Sequence, residues 1–426
     1  MSITKYKNSN KCRLCSSKAI KKIYDFEKIP VGEKYFSKKI KYKQVTHFPM
    51  TLFRCSKCYN VQISEVIDPD FLWSHYTYLS GQTQSIKKHF LEFHNNLIKK
   101  SFYKYKKDDL IIDIGSNDGS LLQNFKKNKF KVLGVDPALN IVKIANKNKI
   151  NTIHGLFNYT ISEKIKKKYG KAKIVTAFNV FAHTDKMKEI LLSIRNVLEN
   201  DGIFIFEVQY LKDILKKNIL GTFFHEHMCH YSVTTLKNFF RINNMRLIDI
   251  EKVNIQKGSI IGYVTHNKSS LKTKQSVKNF LKTEKITNTT KENTLNKFFQ
   301  KIRKDRIKIN KILSKLNDNG DVIAYGAARS GPTLAYNYGL RNKIKVIIDD
   351  HFMKVNKYSP LDCAKVVSSE EIENYIDNPI VILAYLHAKK IIKKHKSFIK
   401  KGGNFIILFP QIKLVNKKNL DSFLSR

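Results

Sequence analysis

From Asp109 onward, short apolar runs alternate with stretches whose apolar positions recur every three or four residues, the pattern of strands joined by amphipathic helices. Such alternation predicts a parallel sheet wound by βα units. Strands are expected at Leu110–Ile114, Lys131–Val135, Asn151–His154, Ile174–Phe178 and Gly202–Glu207, with later ones near Arg246–Val253 and Ser259–Thr265. A connector rich in Lys, Thr and Asn runs to about Asn319, and its second half keeps a helix period through Leu295, Phe298, Phe299, Ile302 and Ile309. A second α/β pattern then opens with Asp321–Tyr325 as a strand and Gly326 to Gly331 as a turn into a helix. It continues with Lys345–Ile348, ending in Asp349-Asp350, then Pro379–Ala384 and Asn404–Leu408. Upstream, β-like runs at Phe48–Phe53 and Val61–Ile63 precede a helix over Thr83–Lys100, on which Ile86, Phe90, Phe93 and Leu97 share a face. The predicted organisation is a small module over residues 1–78, an α/β doubly wound domain over 79–266, and a helical connector with a second Rossmann-like α/β domain over 267–426.

A chain of 426 residues with 42% hydrophobic content is globular and holds more than one core. No stretch approaches the ~18 uninterrupted apolar residues of a spanning helix. The start, up to Cys12, has no apolar segment after its lysines, so the expectation is a cytoplasmic protein with no membrane partner. A formal charge of +44 ordinarily points to a polyanion. Here lysine far outnumbers arginine and is spread through every segment beside many Ile and Asn, as in a chain from an AT-rich genome. A nucleic-acid reader concentrates Arg, whose fork matches phosphate and guanine. Solvated lysine faces that favour an anionic substrate are therefore expected, with no nucleic-acid partner.

Cysteine usage narrows the picture further. Of six cysteines, four stand as Cys12-Arg-Leu-Cys15 and Cys55-Ser-Lys-Cys58, leaving Cys229 and Cys363. Paired C-x-x-C turns in a cytoplasmic chain read as a four-thiolate zinc site, because each turn aims two sulfurs at one metal. With no open coordination position, that zinc would hold its module together and do no chemistry.

The strongest chemical signal is Asp113-Ile-Gly115-Ser-Asn-Asp-Gly119-Ser at the end of the first central strand. Glycines there allow a tight turn and close approach to a ligand, and the strand-end carboxylate can meet a ligand amine or water. The spacing is not the G-x-G-x-x-G of dinucleotide sites. The next strand ends in Val135-Asp136-Pro137, where a carboxylate can accept two ribose hydroxyls. Together the pair is similar to the first two binding motifs of class I methyltransferases. Asn179-Val-Phe-Ala-His183 and Glu207-Val-Gln-Tyr210 end the fourth and fifth strands and face the same crevice. The cluster Phe224-His225-Glu226-His227 lacks the spacer of H-E-x-x-H, so proton transfer fits it better than metal binding.

The two C-x-x-C pairs with Val61-Gln62, then Tyr76-Thr-Tyr78-Leu-Ser80, DIGSNDGS, NVFAH, FEVQYL, FHEH and the late YGA turn occur in one order over nearly the whole chain. In that order they resemble the sugar C-methyltransferases that modify C3 of nucleotide-linked 4-keto deoxysugars. The resemblance implies a zinc-binding N-terminal domain, a class I S-adenosylmethionine-dependent methyltransferase centre and a Rossmann-like C-terminal domain, with the nucleotide sugar between the last two. It places Tyr78, His183, Glu226 and His227 around the sugar, with His227 as the base, and Tyr76, Phe224 and His225 as substrate contacts. Asp113, Gly115, Gly119, Asp136 and Asn179 form the expected cofactor set. Three departures stand out: Phe224 where tyrosine is usual, Ile255-Gln-Lys-Gly258 in place of a more Gly-rich turn, and Ala328-Arg-Ser-Gly331 in place of a Lys-Gly turn.

The expected reaction removes a proton next to the ketone, holds the enolate and transfers a methyl group to its carbon. A monomer or homodimer is expected. The rival reading is an RNA methyltransferase whose zinc module and lysines grip phosphate. A non-catalytic sugar-binding relic is the third reading, and the intact Asp113, Gly115, Gly119 and Asp136 speak against it.

Overall fold

The structure, a computed structural model, describes residues 6–73, 79–100, 106–316 and 320–425. Two compact units form: one from the N-terminus to Lys21, Phe53–Lys212 and Glu226–Lys291, the other from Lys22–Leu52, Asp213–His225 and Glu292–Arg426.

The first unit is built around a seven-stranded sheet: β1 Leu110–Ile114, β2 Lys131–Asp136, β3 Thr152–His154, β4 Ala172–Phe178, β5 Leu198–Gln209, β6 Met245–Val253 and β7 Ser259–His266. Their order across the sheet is β6-β7-β5-β4-β1-β2-β3. The first five run parallel, while β7 is antiparallel to both its neighbours. That reversal has a simple cause. A parallel return needs a crossover of a dozen or more residues, and only the short turn around Gly258 separates β6 from β7. Every position of β1 is buried, as expected of a central strand covered on both faces. The predicted helix forms at Gln84–Ile98 and buries Ile86, Phe90, Phe93 and Leu97, in one core with Ile111 and Phe125. The result is the class I methyltransferase fold, with the ends of β1, β2, β4 and β5 opening on one edge.

The connector differs from expectation in carrying a helix in its first half as well, Gln275–Ile286. Its buried residues are Val277 and Glu284, and the Glu284 carboxylate accepts hydrogen bonds from the backbone of Val233 and Thr234. A helix held partly by a buried carboxylate leaves no apolar stripe to read.

The second unit carries β8 Val322–Tyr325, β9 Ile344–Ile348, β10 Lys365–Val367, β11 Pro379–Ile382, β12 Asn404–Ile407 and β13 Lys413–Val415. Their order is β10-β9-β8-β11-β12-β13, parallel except for β13. This doubly wound sheet reverses direction beside β8. Among the described residues, no helix is long and apolar enough to cross a membrane.

Candidate active site and metal centre

Cys12, Cys15, Cys55 and Cys58 converge so that their sulfurs all lie within 4.8 Å of one another. Cys12 Sγ stands 3.4 Å from Cys58 Sγ and Cys15 Sγ 3.6 Å from Cys55 Sγ, and none forms a disulfide. A zinc ion with ~2.3 Å bonds sets its sulfurs about 3.8 Å apart, so the four thiols fit a tetrahedral site. Three of the four are buried. The Gln62 side chain braces the first turn, accepting from Arg13 N at 2.9 Å and donating to the Lys11 carbonyl at 3.0 Å. Cys229 lies beside this shell, 3.6 Å from the Asn60 amide, and Cys363 lies outside the cluster.

In the loop after β1, Gly115 and Gly119 both adopt left-handed backbone, with φ of +66° and +79°. A Cβ at Gly115 would stand 2.5 Å from Val180, and one at Gly119 2.8 Å from Ile150, so both need glycine on two counts. The loop is anchored by Asp136, whose two oxygens accept from Asn117 N and Ala138 N at 2.9 Å each. Burial raises the Asp136 pKa, and those two amides hold the rise in check. Asp113 is buried with the Thr176 hydroxyl donating to it at 2.6 Å; burial pushes its carboxyl up to about 7, Thr176 opposes this, and the nearby Asp136 adds to it. Leu79–Thr83 closes over this loop: Ser80 N donates to Asn117 Oδ1 at 2.9 Å and Gly81 N to Asp118 Oδ2 at 2.8 Å. Tyr76 and Tyr78, just upstream, lie outside the described residues.

Asn179, left-handed at φ +56°, donates its amide to Glu207 Oε1 at 2.6 Å, and the other Glu207 oxygen bonds His89 Nε2. Burial works against a proton on His89, and the Glu207 carboxylate outweighs it, leaving the His89 pKa raised. Sequence reasoning missed His89, which sits on an ordinary polar helix face with no local signal.

Past β4 the chain turns so that Met228 N donates to Ala182 O at 3.0 Å, laying the two histidine motifs side by side. His183 and His227 stack with ring centroids 5.0 Å apart and an interplanar angle of 22°. Trp73 stacks on His183 at 5.6 Å and 16°, and His230 meets His227 edge-on at 6.4 Å. Trp73 was not singled out in the sequence, and His230 stood out there only as following the H-E-H, with no role assigned. Glu226 is buried. His225 belongs to the second unit and is 2% exposed, its Nε2 3.2 Å from the Pro49 carbonyl and its ring edge-on to Phe48. Burial lowers its pKa to about 4, so it is a neutral, packed histidine outside the ring stack. Phe224, also in the second unit, is partly exposed.

In the second unit the turn after β8 repeats the same logic. Gly326 has φ +104° with Ala384 2.3 Å from where a Cβ would stand, and Asp349 at the end of β9 accepts from Ala327 N at 2.7 Å. Lys354 and Tyr35 both donate to the Ala327 carbonyl at 2.9 Å, and Lys354 also pairs with Glu33 at 3.0 Å.

Comparison with known families matches three successive stretches: a zinc binding domain at residues 12–73, a methyltransferase domain at 89–250 and a C-methyltransferase C-terminal domain at 254–410. The chain thus carries a methyltransferase domain flanked by a zinc binding domain and a C-methyltransferase C-terminal domain. C-methyltransferase NovU of Streptomyces niveus is similar to it over 412 residues at 27% identity, covering 96% of this chain and 98% of NovU. Among solved structures, magnesium protoporphyrin IX methyltransferase of Synechocystis with bound SAH has 14% identity and a TM-score of 0.33, covering 42% of this chain and 83% of that chain. The plantazolicin methyltransferase BpumL in complex with SAH has 12% identity and a TM-score of 0.36, over 43% and 86%.

Proposed function

We propose that this protein is a C-methyltransferase that uses S-adenosylmethionine to methylate a carbon next to the ketone of a nucleotide-linked keto sugar. The observation that carries the reading is the stacked His183–His227 pair, in the same unit as the glycine loop and Asp136. A histidine titrates near neutrality, as abstraction of a proton beside a ketone requires. His227 is the base, and His183 faces the developing enolate, with Glu226 and Tyr78 as helpers. Asp136 accepts the ribose hydroxyls, Asp113 meets the amine, and Gly115, Gly119 and Asn179 shape the cofactor pocket. Tyr76 and Phe224 are assigned to the substrate side, whereas His225 packs against Phe48 and Pro49. When bound, the cofactor supplies an electrophilic sulfonium methyl. The zinc is structural.

His227→Ala tests this directly. The variant is expected to bind cofactor normally in calorimetry while losing both methyl transfer and solvent-deuterium exchange at the carbon beside the ketone, each by about a hundredfold or more. Retained exchange without methylation would assign the proton to another group and overturn the role of His227.

A further inference from the structure

Two imidazolium rings stacked at 5.0 Å repel each other, which disfavours a second added proton on the His183–His227 pair. What decides the position of the first is the surroundings. An aromatic face attracts a cation, and indole does so best. Trp73 lies nearly parallel to His183 at 5.6 Å, the arrangement that favours a charge on that ring. Among the described residues, the other ring in the group, His230, is buried on the strand after the H-E-H, and burial together with the His227 ring pulls its pKa well below the usual range. His230 therefore stays neutral and adds no second charge. The carboxylate nearest in sequence to His183, Asp185, pairs with Lys7 at 3.1 Å. Glu226, next to His227 in the chain, is buried.

Resting on the function proposed above, we infer that Trp73 is a positioning residue that places the shared proton on His183, making His183 the acid toward the ketone oxygen and His227 the base toward the neighbouring carbon. The step balances. His227 takes the proton from carbon, the C–H electron pair becomes the carbon–carbon double bond, and the carbonyl π pair moves to oxygen. That oxygen takes its proton from His183. The stack carries one positive charge before and after, so neither a doubly charged pair nor a bare enolate forms. Placing an acid and a base of unequal pKa side by side is how a single site runs both halves of an enolisation.

The test needs no substrate. Histidines labelled at Cε1 are titrated by NMR in the full chain, with His183→Gln and His227→Gln assigning the two signals. In the native protein His183 should hold its proton to higher pH than His227. Trp73→Leu should lower the His183 midpoint by about one pH unit without a matching fall at His227, and Trp73→Phe should lower it by less. If Trp73→Leu does not fold, the smaller shift in Trp73→Phe decides. Protonation of His227 first, or Trp73 variants that move neither midpoint or both alike, would overturn the inference. Because only protein signals are read, such a failure leaves the role of His227 in exchange and methylation to be judged separately.

Discussion

Asp113 shows what a single buried carboxylate does to this protein. Its native pKa of about 7 lies above the unfolded value of 3.8, so between those values the folded chain holds a proton that the unfolded chain has lost. Stability contributed by that proton is present at low pH and is lost as pH rises through the native value. Asp113→Asn mimics the protonated form. It should raise the melting temperature of the cofactor-free protein by about 2–4 °C at pH 8 and by clearly less at pH 5, where only the first part of that loss has accrued. A difference independent of pH would contradict the assignment. If, as proposed, Asp113 meets the cofactor ammonium, that ammonium favours the ionised form, so wild-type affinity should rise with pH toward 7 and then level off. Calorimetry in two buffers of different ionisation enthalpy reads the released proton.

At the scale of elements, the N-terminal turns are too small to hold themselves together without a staple. Purified protein should carry about one zinc per chain, and chelation should unfold the segments bearing Cys12, Cys15, Cys55 and Cys58 before the sheet of β1–β7 melts. Metal analysis with hydrogen exchange checks this; a folded, metal-free segment would contradict it. The same element was readable in the sequence because C-x-x-C spacing is a local rule. So were the strands, whose apolar runs fall within a residue or two of β1, β2, β6 and β7, and the left-handed turn that glycine permits at Gly115 and Gly119. The ring stack was not. His183, on which Trp73 stacks, and His230 meet His227 only after β4 and the H-E-H segment have been brought together by the Met228–Ala182 backbone bond, and nothing in the spacing of these residues records that contact. Likewise His225 reads as an equal member of the H-E-H, yet its ring is packed against Phe48 and Pro49.

On the scale of the whole molecule, a charge of +44 draws anions of every kind, so charge alone does not distinguish a nucleotide sugar from RNA. The two differ in how binding responds. A nucleoside diphosphate that occupies the substrate site should raise the melting temperature, and keep raising it with the logarithm of its concentration above Kd. RNA gripped by phosphate contacts would instead show affinity falling steeply with salt, and saturable, salt-steep RNA binding with no nucleotide effect would overturn the substrate class. The most direct measurement supplies S-adenosylmethionine carrying a 13C methyl group together with a nucleotide-linked 4-keto deoxysugar, and follows the label by NMR. The account requires the labelled methyl on a carbon next to the ketone, with no transfer in His227→Ala; label on oxygen, on nitrogen or on RNA would contradict it.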